Sequence, residues 1–130
     1  MQKAQTVLLP EAPDAIAPDG SEVRLLAAVS AGSSAEFRLT EGRVSAAVRH
    51  RTVSELWFVV SGSGELWRRD AAAETITPLA AGTSASIPVG TSFQFRCSPG
   101  VPLRIVATTM PPWPGDSEAE LVEGQWLPSV

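Results

Sequence analysis

From residue 35 to residue 40 apolar and polar side chains alternate, Phe37 and Leu39 against Glu36, Arg38 and Thr40. Period two is the mark of a strand with one face in a core and the other in solvent. Residues 55–60 are nearly all apolar, which predicts a central strand covered on both faces. Residues 21–29, 44–50, 65–69, 76–79, 84–88, 93–97 and 103–109 are the other strand candidates. Breaks rich in Gly and Ser separate them, at Ser30-Ala31-Gly32-Ser33-Ser34, Glu41-Gly42, Ser61-Gly62-Ser63-Gly64 and Ala81-Gly82. The break at Ser61 to Gly64 is read as a tight turn that returns residues 65–69 beside the preceding strand. No segment carries the 3.6-residue period of an amphipathic helix, and no internal repeat is present. Short strands about eight to twelve residues apart predict an all-β sandwich or barrel.

Composition narrows this picture. A chain of 130 residues is one domain, divided here into an N-terminal arm (1–20), a barrel (21–109) and a C-terminal tail (110–130). The arm and the tail are rich in proline. Met110-Pro111-Pro112-Trp113-Pro114-Gly115 must run extended, and the tail's two tryptophans, Trp113 and Trp126, predict that it packs back on the barrel. A net charge of −4 gives no general attraction to nucleic acid, and Arg49, Arg51, Arg68 and Arg69 are expected on a solvated face. The single cysteine, Cys97, excludes an internal disulfide and fits a reducing compartment. The first ten residues are too weak for a signal peptide, and no apolar run approaches the roughly 20 residues that span a bilayer. A cytoplasmic protein without membrane contact is expected.

Two spaced blocks carry the candidate chemistry. The first reads Gly42-x5-Val48-x-His50-x4-Glu55-x6-Gly62, and the second Gly82-x5-Pro88-x-Gly90-x2-Phe93-x3-Cys97. Their Gly/Pro skeleton resembles the two signature motifs of the cupin superfamily, over residues 42–97, and the chain resembles small single-domain bacterial cupins of the conserved-barrel (cupin_2-like) kind. The resemblance implies a cupin-type double-stranded β-helix, a jelly-roll barrel. In the family pattern the first block carries two histidines and a glutamate, and the second a histidine and an asparagine. Here Val48, Phe93 and Cys97 stand at the first histidine, third histidine and asparagine positions, leaving His50 and Glu55.

A transition-metal centre normally takes three or more protein ligands. With two remaining and apolar side chains beside them, a tightly bound metal is not expected. Weak divalent occupancy at His50 and Glu55 is the most the pattern implies. The leading expectation is a small-molecule binder whose barrel cavity is lined by Val48, His50, Glu55, Trp57, Phe93 and Phe95. His50 and Glu55 are expected as a hydrogen-bonded pair on adjoining strands, the carboxylate raising the imidazole's pKa. Two rivals stand beside it. One is a metal-dependent isomerase or dioxygenase using His50 and Glu55 with a non-standard third ligand. The other is a filled barrel that serves as a structural or partner-binding module. An epimerase with a tyrosine acid is unlike this chain, which has no tyrosine. Gln94 and Arg96 are expected to face away from the cavity, Arg96 in an outer ion pair, and Cys97 to be a small buried hydrophobe. The family resemblance implies a homodimer, for which the outer positions Leu56 and Phe58 are suited.

Overall fold

A computed structural model describes residues 3–130; Met1 and Gln2, the start of the expected arm, lie outside it. The described strands are β1 (Ala15–Ile16), β2 (Glu22–Val29), β3 (Gly32–Leu39), β4 (Val48–His50), β5 (Ser54–Ser61), β6 (Ser63–Arg69), β7 (Glu74–Ala80), β8 (Ser84–Ile87), β9 (Ser92–Cys97), β10 (Leu103–Met110) and β11 (Ala119–Leu121). One short 3-10 turn, Asp116–Glu118, precedes β11. Six strands form one sheet in the order β1-β2-β3-β10-β5-β8, and five form the other, β11-β4-β9-β6-β7. The strand pairings are antiparallel. The two sheets close on a shared apolar layer as a jelly roll.

Alternation decides which side chains enter that layer. In β5, Glu55, Trp57 and Val59 point in, and across the ladder they meet Thr109, Ala107 and Ile105 of β10. In β3, Ser33, Ala35, Phe37 and Leu39 lie opposite the same β10 row. The row changes character along its length. Leu39, Val59, Leu103 and Ile105 pack one end solidly with Leu66, Leu79 and Phe95 of the facing sheet. Toward the other end the row becomes Ala35, Ala107, Ser33 and Thr109, and these small side chains leave space between the sheets.

Several expectations are corrected. Residues 55–60 are covered on one face only: Leu56 is 50% exposed and Phe58 51%, because none of the described residues packs over that side of β5. Residues 65–69 do not return beside β5. Gly62 carries the chain across to the other sheet, where β6 pairs with β7 and β9. Glycine is required there, since φ is 85° and a Cβ would come within 2.3 Å of the Pro102 carbonyl oxygen. Strand 44–50 shortens to β4, with Val44 making a single bridge to Arg96. The expected loop at 30–34 is a two-residue turn, and β3 begins at Gly32.

The tail folds back on the barrel. β11 extends the second sheet beyond β4, pairing Ala119 with His50. Gln94 of β9 holds the last residues: its amide donates to the carbonyls of Ser45 and Trp126, at 2.8 and 2.9 Å, and its oxygen accepts from the backbone N–H of Gln125 and Trp126. The Arg96 guanidinium lies 4.3 Å over the Trp126 ring and pairs with Glu65. Arg49 and Arg51 are tied to Glu120. Among the described residues no helix is long and apolar enough to cross a membrane.

Candidate functional site

The space at the small-residue end is a cavity of about 280 Å³. Its walls come from four parts of the chain. The arm supplies Ala15 to Asp19, β2 and β3 supply Val23, Ser33, Ala35 and Phe37, and β4 and β9 supply Val48, His50 and Phe93. Glu55, Thr109 and the tail residues Trp113, Gly115, Asp116 and Ala119 complete it. Of the six residues expected to line a cavity, Val48, His50, Glu55 and Phe93 do so. Trp57 and Phe95 do not. They stand behind Phe93 in the core, edge-to-face at 5.1 Å from each other, with Trp57 at 5.8 Å from Phe93.

His50 and Glu55 reach the cavity from opposite sheets, β4 in one and β5 in the other. They are therefore not on adjoining strands, and no hydrogen bond joins them. His50 is 5% exposed and its Nδ1 is buried without a partner among the described residues. Rings hold it instead: Phe93 at 5.2 Å and Trp113 at 5.1 Å, both edge-to-face. Burial pushes the imidazole's pKa below its ordinary value, against a smaller upward pull from Glu118. The expected rise caused by Glu55 is thus reversed, and a neutral imidazole faces the cavity.

The Glu55 carboxyl is 2% exposed. Its Oε1 accepts a 2.9 Å hydrogen bond from the indole N–H of Trp57, which is how Trp57 serves the site without lining it. Burial drives the Glu55 pKa up to about 7; the Trp57 bond draws it back, and the nearby Asp19 carboxyl lifts it again. Asp19 is also buried and its pKa is raised by that burial, even though Ser21 donates its backbone N–H and hydroxyl to Oδ1 at 2.9 and 2.6 Å.

Two local devices position these groups. The turn of the second block sits against β4 and β5: the Gly90 N–H donates to the His50 carbonyl at 3.2 Å, and the Val89 N–H to the Ser54 hydroxyl at 2.9 Å. The tail is fastened by Glu118, 4% exposed, whose carboxylate accepts from the backbone N–H of Thr52 and Val53 at 2.6 and 3.0 Å and from the Thr52 hydroxyl. Burial works to raise the Glu118 pKa, but these bonds outweigh it and hold the carboxyl low. Asp19, Trp113 and Asp116 were absent from the expected site. The Pro-bounded Trp113 was the one signal that could have found it, and the role of Asp19 depends on a long-range approach of the arm.

The donor set does not fit a metal ion. The seats beside His50 are Val48 and Phe93, and Cys97 is in the core, held by contacts to the Ser98 and Val101 carbonyls at 3.2 Å each. Among the described residues no three His, Cys, Asp or Glu side chains are placed to hold one ion together.

No family model matches the chain, and no curated protein matches it. Solved structures do. A Klebsiella pneumoniae protein with a double-stranded β-helix domain is 20% identical over 80% of this chain and 85% of that one, with a TM-score of 0.65. Streptomyces PAC13, solved with uridine, is 16% identical over 94% and 92% of the two chains, with a TM-score of 0.67; another structure of it is described as a nucleoside dehydratase. A mutant of Bacillus subtilis oxalate decarboxylase OxdC is 14% identical with a TM-score of 0.69, covering 78% of this chain and 28% of that one. At these identities the likeness is one of fold, and it is consistent across all three: the chain is a cupin-like double-stranded β-helix.

Proposed function

We propose that this protein binds a small organic molecule in the cavity between its sheets, with His50 and Glu55 as polar anchors and without a tightly held metal. The observation that carries the reading is a 280 Å³ cavity whose largely apolar wall includes the buried imidazole of His50 and the buried carboxyl of Glu55. Pockets that take small molecules are commonly apolar with a few directed polar groups, and this wall has that make-up. The volume lies just below the roughly 300–1,000 Å³ of drug-sized pockets, so a single or fused ring is the right scale. Phe37, Phe93 and Trp113 supply the apolar body of such a site.

A fragment screen by thermal shift tests this. A ligand at about 100 times its Kd stabilises by roughly 2.7 kcal/mol, which raises Tm by several degrees. Hits should lose their shift in His50→Ala and in the cavity-filling Ala35→Phe, and keep it in the outer-face Phe58→Ser. Hits that survive both cavity variants would place binding elsewhere and refute the assignment.

A further inference from the structure

The polar groups on the cavity wall are unequal in kind. Asp19, Glu55 and Asp116 bring carboxyls; among the described residues His50 brings the only basic side chain, and no Lys or Arg lines the space. The hydroxyls of Ser33 and Thr109 are already engaged: they bond each other, and Ser33 also accepts the backbone N–H of Trp113. The buried carboxyls are half engaged. Both bonds to Asp19 fall on Oδ1 and the Trp57 bond to Glu55 falls on Oε1, so Oδ2 and Oε2 have no hydrogen-bond partner among the described residues. Two carboxyls with a spare oxygen each therefore wall an apolar chamber beside the His50 imidazole, and no Lys or Arg among the described lining residues neutralises them.

Building on the small-molecule reading above, we infer that the cavity selects a small planar cation with several N–H donors, of the amidine, guanidine or protonated nitrogen-ring class, and rejects anions. A cation draws Glu55 and Asp19 into their ionised forms and donates charge-assisted hydrogen bonds to the oxygens that Trp57 and Ser21 leave free. Aromatic rings on the same wall favour positive over negative charge. A carboxylate or phosphate entering the chamber would meet the Glu55 and Asp19 carboxyls at low polarity, with no Lys or Arg among the described lining residues to offset its charge.

Three isosteres of different charge test it on the whole chain: benzamidine, benzamide and benzoate, titrated by calorimetry at pH 8. Benzamidine should bind at least about tenfold tighter than benzamide, the scale of a charge-assisted bond, and benzoate weakest of all. Glu55→Gln should cut the benzamidine preference to within about threefold, and Asp19→Asn, made separately in case the first variant folds poorly, should reduce it as well. Equal binding of benzamide and benzamidine, or a preference for benzoate, overturns the charge selection and leaves the small-molecule reading standing. No binding by any of the three at millimolar concentration, together with no thermal-shift hit, overturns both.

Discussion

Replacing Glu118 by alanine should destabilise the protein by about 2–4 kcal/mol at pH 7, because a carboxylate accepting three hydrogen bonds is removed at once. Thr52 is an exposed residue whose N–H can turn to water, but Val53 is fully buried and its N–H is left without a partner. The loss should propagate to the cavity, since Glu118 fastens the segment that carries Trp113 against His50. Urea unfolding gives the free energy, and limited proteolysis within residues 110–121 reports the released tail. Glu118→Gln, which keeps one acceptor, should recover about half. The sign of the pH dependence follows from the low carboxyl pKa. The stabilisation is complete above the unfolded value of 4.5 and is lost as pH falls through the folded one. A loss below about 0.5 kcal/mol for the alanine variant would mean that the tail is held by its backbone pairing alone.

Glu55→Gln should do the opposite, raising Tm at pH 8 by of order 5–10 °C and leaving it nearly unchanged at pH 4.5. The Glu55 carboxyl has a pKa of about 7 against 4.5 for the ordinary group. The folded state therefore holds a proton that the unfolded state releases across that window, and stability falls as pH rises from 4.5 to 7. The difference amounts to roughly 3 kcal/mol. Glutamine keeps an acceptor for the Trp57 indole and carries no charge at any pH. Asp19, whose pKa is also raised, pushes in the same direction as Glu55. His50 opposes them: its lowered pKa means that stability is lost as pH drops through 6.5 and below. Glu36, held low by Arg104 and Arg38 despite its burial, and Glu118 lose their contributions below 4.5. The difference between variant and parent cancels these other groups. A Tm gain that is flat from pH 4.5 to pH 8 would show that Glu55 ionises normally in the folded protein.

How much of this was legible in the chain varies by element. The alternation at residues 35–40 and the Gly/Pro skeleton of the two blocks located strands, turns and the β4–β5 corner that carries His50 and Glu55. The apolar run 55–60 misled, because a run of apolar residues reads the same whether its outer face is covered or open. Here Leu56, Phe58 and Val60 are left partly exposed. Gly62 misled for a related reason. A glycine with positive φ reads as a hairpin bend, whereas in this chain it serves a crossing between sheets.

By itself the sequence determined the all-β class, the inward set of β5, the burial of Cys97 and the apolar neighbours of His50, since strand periodicity and side-chain chemistry are local properties. Only the tertiary structure decided that Trp57 binds Glu55 from behind the cavity, that Asp19 and Trp113 close its wall, and that His50 and Glu55 face one cavity from two sheets with no hydrogen bond between them. Each of these rests on which distant strands become neighbours and on the volume left where Ser33, Ala35 and Ala107 fail to fill the layer. Neither property belongs to any short stretch of the chain.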